Sequence, residues 1–250
     1  YNTEADYPAD NSRVVVMGLC PSAMTTADSH TTYSLPSRAG LTDVLVTPNG
    51  VTGSRKQPFG RALEFAHAAV RIVLKARRTD NTVGKLYVKN LKLTVPARLV
   101  CGGLKWDTGT KQYLAAPAAA DLVINHSGQI LSTEDTQVAV FYLTPCSPAD
   151  LLTDLTGTGG TPGLTLTADV AKDINFTTGA RNASFPILDG NLNFMDQFGS
   201  PATQLKGGES YETTLKFDID SFTLEGEEKE WEDGGKMTVP VVVPEPTPGP

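Results

Sequence analysis

The chain has only three cysteines in 250 residues, and no two of them form a CxxC pair. Cys20, Cys101 and Cys146 are widely spaced and odd in number, which argues against a zinc ribbon or a redox motif. At most one disulfide can close within the chain, and the expected role of these thiols is that of buried small hydrophobes. Histidine is equally scarce. His30, His67 and His126 show neither HxH nor HxxxH spacing, so no metal site is expected. Neither GxSxG nor a phosphate-loop signature occurs. The glycine-rich "GTGGTPG" (157–163) follows a helix-like piece and precedes a strand, the reverse of the order that cradles phosphate. "DTGT" (107–110) occurs once, inside a turn-like "KWDTGTKQY". The chain is therefore expected to have no catalytic residue, no metal and no cofactor. No apolar run approaches the roughly 20 residues of a membrane helix. No basic stripe is present, which argues against nucleic acid. The absence of an initiator Met before "YNTEADYPAD" reads as a mature or trimmed form.

What is present is strand chemistry. The composition is 40% hydrophobic and 20% charged, with 23 glycines and 17 prolines, which favours many short strands joined by turns. The net charge of −7 is concentrated in "EGEEKEWED" (225–233), read as a solvated segment.

The stretch "GRALEFAHAAVRIVLKARR" (60–78) shows why period matters. Ala66, Ala68, Val70, Ile72, Leu74 and Ala76 make one uninterrupted apolar face, while Phe65, His67, Ala69, Arg71, Val73 and Lys75 make a mixed one. That period of two predicts a strand with one buried face, and the β-branched cluster disfavours a helix. Turn residues follow at Asp80, Asn81 and Gly84. A second strand comes next, "LYVKNLKLTV" (86–95), with an irregularity expected at Asn90 and a hairpin between the two. His67, on the mixed face, is expected to be a hydrogen-bonded structural residue.

Further strands are expected at 13–19, 43–47, 121–125, 137–145, 163–170 and 183–188, with one long strand over 210–224. Only "SPADLLTDL" (147–155) reads as helical, with Ser147 as cap and Pro148 at the first position. In "KMTVPVVV" (236–243), Pro240 cannot donate to a ladder and confines the strand to an edge. The loop-like "LAAPAAAD" (114–121) divides the chain into an N-terminal β-sandwich domain (1–120) and a C-terminal one (121–235). A C-terminal strand and proline-rich tail (236–250) follow.

In order, these segments resemble the fimbrillin family of type V pilin subunits from Gram-negative anaerobes. The matching elements are "LEFAHAAVRIVL" with Phe65 and His67, "TDVLVT" (42–47), "VFYLTP" (140–145), "KGGESYETTLKFDI" (206–219) with Tyr211, and "EWEDGG" (230–235) with Trp231. Cys146 stands where the family carries Gln, and the Trp before "GGESY" is missing. The resemblance covers about 42–235. It implies an all-β fold of two transthyretin-like β-sandwich domains in tandem and export as a lipoprotein precursor with an outer-membrane lipid anchor. It also implies assembly with other fimbrial subunits at the cell surface by strand exchange, supporting adhesion to host or bacterial surface ligands. Under it, Val14 and Val16 lie in a candidate N-terminal exchanged strand, and Arg13, Arg38 and Arg55 are candidate processing positions. Met237, Val239, Val241 and Val243 form a candidate donor strand, whose bland alternative is an ordinary edge strand. The rival reading from another class is a carbohydrate-binding β-sandwich module of a surface glycan-uptake system, stacking sugars on Trp106 and Tyr113.

Overall fold

The computed structural model describes residues 8–22, 25–27, 31–48, 51–58, 63–78, 87–107, 112–130, 133–151, 162–171, 173–177, 180–186, 203–217, 222–228 and 236–241. Among them the elements are strands and one short 3₁₀ turn, so the protein is all-β. The strands, numbered along the chain, are β1 (Val14–Val16), β2 (Leu19–Cys20), β3 (Thr25–Ala27), β4 (Thr32–Ser34), β5 (Leu45–Val46), β6 (Val51–Gly53), β7 (Ala66–His67), β8 (Val70–Arg78) and β9 (Tyr87–Val95). They continue with β10 (Cys101–Asp107), β11 (Gln112–Pro117), β12 (Leu122–His126), β13 (Thr136–Leu143), β14 (Thr165–Ala171), β15 (Arg181–Pro186), β16 (Ser210–Phe217), β17 (Phe222–Glu228) and β18 (Lys236–Val241).

The strands form five sheets, two of which hold the larger core. In one the order is β13-β8-β16-β17-β18; in the other it is β12-β9-β14-β15. The expected period of two is visible in β8, where Val70, Ile72, Leu74 and Ala76 are all buried. They pack with Val88, Leu91 and Leu93 of β9, Phe141 of β13, Leu166 and Ala168 of β14, and Leu215 of β16 in one apolar cluster. Each such large side chain contributes on the order of 1.5–3 kcal/mol by leaving water.

In β9 the inward parity switches, from Val88 to Leu91, Leu93 and Val95. The switch sits at Asn90, whose φ is 51°, and the β14 register slips between Thr167 and Asp169 opposite it. This is a bulge. Asn tolerates the left-handed conformation, and its Nδ2 donates to Asp169 Oδ2 at 2.7 Å.

A second, smaller cluster gathers Leu35, Val44, Val46, Ala68, Ala69, Cys101, Leu104 and Ala115. Its walls are the three-stranded sheet β2-β5-β7 and the four-stranded sheet β11-β10-β4-β3. Gly103 is required there: at φ 146°, a Cβ on it would lie 2.0 Å from the Tyr33 carbonyl oxygen. β1 and β6 form a separate two-stranded ribbon.

Four expectations are corrected. The segments 66–78 and 87–95 are strands, but they make no hairpin. β8 pairs with β13 and β16, β9 with β12 and β14, and the two lie in different sheets that share the first cluster. Alternation reports that one face is buried; it does not report which strand lies alongside. The loop-like 114–121 begins as strand, because Gln112–Pro117 pairs antiparallel with β10. β8 and β9 also pair with strands beyond residue 120. The single strand over 210–224 is two strands, β16 and β17, paired antiparallel with Phe217 opposite Phe222. The helical segment is shorter and tighter, a 3₁₀ turn at Pro148–Leu151, with 152–155 outside the described residues. There Asp150 Oδ2 accepts from Ser147 N and Oγ, both at 2.8 Å, reversing the expected Ser cap.

Candidate functional site

Among the described residues no group of three His, Cys, Asp or Glu side chains is placed to hold a metal ion. Nor is any helix long and apolar enough to cross a membrane. The features with chemical reach are instead edges, exposed apolar side chains and one histidine–carboxylate contact.

His67 and Asp43 make that contact. His67 Nδ1 lies 2.5 Å from Asp43 Oδ2, and both side chains are partly shielded. β5 pairs with β7 through Leu45 opposite His67, so the contact fastens the lead-in of β5 to the strand beside it. Asp43 Oδ1 is buried without a hydrogen-bond partner. Nothing in the sequence pointed to Asp43, which stands 24 residues away.

The neighbouring Phe65 is 48% exposed. Its ring lies across Gly18, where a Cβ would fall 2.5 Å from the ring. Gly18 is held in turn, its N–H donating to Thr47 Oγ1 at 2.8 Å and its carbonyl accepting from Thr47 N at 3.1 Å. Tyr211 is 2% exposed, and its hydroxyl donates to Glu209. Trp231 and Val243 lie outside the described residues.

The N-terminal segment is unusual in its exposure. Among the described residues β1 pairs only with β6, through three residue pairs. Val15, Val16 and Met17 are 54%, 38% and 39% exposed, and Val14 is half-buried. Arg13, Arg38 and Arg55 are all exposed. At the other end, β18 is an edge strand paired with β17, with Val239 opposite Leu224, Met237 opposite Gly226 and Val241 opposite Phe222. Pro240 accordingly sits on an edge, as its missing N–H demands.

Trp106 and Tyr113 are cross-strand partners on β10 and β11. Their rings stack with centroids 6.0 Å apart and planes 20° apart. Tyr113 packs against the second cluster and its hydroxyl contacts Met17 Sδ, so the pair extends the inner face of its sheet. Burial raises the pKa of Tyr113, with Tyr33 adding to the shift. His126 is partly buried with Nδ1 unpartnered, and His30 lies outside the described residues.

All three cysteines are free thiols. Burial pushes Cys101 up to about 11, partly offset by a backbone hydrogen bond from Gly103, and Asp43 pushes it further up. Burial, aided by the Asp150 carboxylate, pushes Cys146 up to about 12. Thiols held protonated in this way are poor nucleophiles. Cys20 is exposed.

No family model matches the chain, and no curated protein does. Among solved structures the chain is similar to a fimbrial protein from Bacteroides vulgatus, at 13% identity over 90% of this chain and 80% of that one, with a TM-score of 0.48. It is also similar to a Bacteroides uniformis protein provisionally assigned to cell adhesion, at 14% identity over 90% and 76%, with a TM-score of 0.49. A Bacteroides ovatus protein with the same provisional assignment shares 11% identity over 98% and 75%, with a TM-score of 0.44.

Proposed function

We propose that the chain is a structural, non-enzymatic subunit of cell-surface fimbriae, assembling with other subunits by strand exchange and supporting adhesion. The precursor would carry its lipid anchor into the outer membrane. In this reading each apolar cluster is the core of one of the tandem sandwiches that the sequence resemblance implies.

The observation that carries the reading is the state of the first strand. Val14–Val16 is held by a three-residue partner, exposes Val15 and Val16, and directly follows the exposed Arg13. Such a strand contributes little to folding by leaving water, and the exposed Arg38 and Arg55 lie beyond it, where a protease cut separates it from the rest of the chain. A sheet edge freed of its strand offers ladder hydrogen bonds and side-chain pockets to an incoming one. β18 has the alternation for that role, with Met237, Val239 and Val241 at every second position. Trp106 and Tyr113 face inward, which favours this reading over the sugar-stacking alternative.

The test is polymerisation after limited cleavage by a trypsin-like protease, followed by electron microscopy. Cleavage at Arg38 or Arg55, which separates β1 from the rest of the chain, should yield fibres, and Val241→Asp with Val243→Asp should abolish them while leaving the monomer folded. Fibres that survive the double substitution would remove β18 as the donor. Absence of fibres from cleaved wild-type protein would remove the strand-exchange reading.

A further inference from the structure

Arg13, Arg38 and Arg55 are not equivalent places to cut, because the contacts that hold the chain change abruptly at Gly40. Arg38 is exposed, with Pro36 and Ser37 beside it, in a turn closed by Leu41 N donating to Arg38 O at 2.9 Å. Two residues on, Gly40 is buried where the two apolar clusters meet, beside Val100 of the first and Cys101 of the second. Its N–H donates to Cys101 O and its carbonyl accepts from Tyr142 N, both at 2.8 Å. Its φ is 74°, and a Cβ on it would fall 2.5 Å from Val100 Cγ1 and 2.7 Å from Leu122 Cδ2. Glycine fits that place, and the chain is pinned there through both its N–H and its carbonyl.

Before Gly40 the ladders are short. β1, β2 and β4 are joined to strands beyond it by three, two and three residue pairs. Among the residues described before Gly40, Leu35 alone is buried, while Leu19 and Tyr33 pack half-buried against the second cluster. Further ties run from Leu35 N to Gly102 O, from Gly18 to Thr47, from Met17 to Tyr113 and from Lys56 N to Asn11 Oδ1. Beyond Gly40 the chain is sealed in. Val44, Val46 and Thr47 are buried, Val44 O accepts from Ala68 N at 2.7 Å, and Asp43 meets His67. β5 is the middle strand of its sheet.

We propose that Arg38 is the productive processing position and that Gly40 fixes the end that the cut leaves behind. The step is hydrolysis: the Arg38–Ala39 amide breaks, and water gives a carboxylate to Arg38 and an ammonium to Ala39. The departing fragment carries β1 to β4. It opens the β5 edge in one wall of the second cluster and the β10 edge in the other, and an opened edge is what an incoming strand pairs with. Of the eight buried side chains in that cluster it removes Leu35 and leaves seven. A fragment ending at Arg55 would have to withdraw Leu35, Val44 and Val46 together, break both Gly40 hydrogen bonds and part Asp43 from His67, so that nicked chain stays closed. A cut at Arg13 frees none of the described strands. Both later cuts sever β1 from the body, and only the one at Arg38 lets it go. The inference rests on the processing step of the reading above, but release of the fragment is measured without any polymer.

Limited digestion of the native chain with an arginine-specific protease tests it, with fragment masses locating each cut and size-exclusion chromatography showing what stays bound. In Arg55→Gln, the fragment ending at Arg38 should separate from a body that circular dichroism shows to be folded. In Arg38→Gln, the fragment ending at Arg55 should elute with the body and be lost from it only in denaturant. Hydrogen exchange at the Gly40 amide should stay slow in the body cut at Arg38. The proposal is overturned if the native chain is not cut at Arg38, if the fragment ending there stays bound, or if both fragments leave equally. Fast exchange at Gly40 after the Arg38 cut overturns it as well. Release of the Arg38 fragment with no fibres upholds this assignment and removes the strand-exchange reading instead.

Discussion

Valine does opposite things in two parts of this molecule. In β8, Val70 is sealed inside the main core, exposed by 0%. In β1, Val15 and Val16 are exposed by 54% and 38%, although both stretches have the same β-branched, apolar chemistry. Burial in a strand comes from the layer that covers it, and among the described residues β1 has a three-residue partner. β8 sits between two strands with a second sheet across the core. High β-propensity thus marks a stable core in one place and a lightly covered surface in the other.

The contrast can be broken or sharpened by experiment. The largest effect is expected from Phe141→Ala, which empties the centre of the main cluster and should cost about 3–5 kcal/mol in urea unfolding. A loss below about 1 kcal/mol would mean that this core is not the stabilising one.

Next comes the alkaline limit. Cys101 and Cys146 have their folded-state pKa values raised to about 11 and about 12, so the folded protein holds two protons that the unfolded chain gives up near the ordinary thiol value. Their contribution is complete below about pH 9 and is lost as the pH rises toward 11–12. Unfolding titrations at pH 8 and pH 10.5 should show the decline, and Cys101→Ala with Cys146→Ala should flatten it. At pH 8 a thiol reagent should modify one cysteine quickly in the native protein and all three in denaturant.

Asn90→Val is expected to cost about 1–3 kcal/mol, because a β-branched residue is strained at φ 51°, whereas Asn90→Gly should cost less. The smallest effect is expected at Val15→Asp, within about 0.5 kcal/mol of wild type in the isolated chain. A large loss there would show that the ribbon is integral to the core and would erase the contrast with β8.

Much of the local structure could be read from the chain. Alternation found β8, the irregularity at Asn90 was visible as a break in parity, and Pro240 announced an edge. Pairing was harder to read. β8 and β9 are adjacent in sequence and both alternate, yet they lie in different sheets, because a period of two encodes a buried face and not a neighbour. The split between β16 and β17 was hidden because Ile219 continues the parity of Tyr211, Leu215 and Phe217. The His67–Asp43 contact depends on β5 meeting β7, which only the assembled sheet provides. The exposure of β1 was invisible for the same reason.

One pairing sets the order in which the molecule can be completed. β16 lies parallel to β8, with Ser210 beside Arg71 although the two are 139 positions apart in the chain. Until the last third of the polypeptide has emerged, one flank of β8 has no ladder to join, and its hydrogen-bonding groups remain solvated. Closing so long a loop is slow, and it leaves a synthesised but unfinished chain loose for some time. A nascent molecule with this wiring matures only once its C-terminal portion arrives.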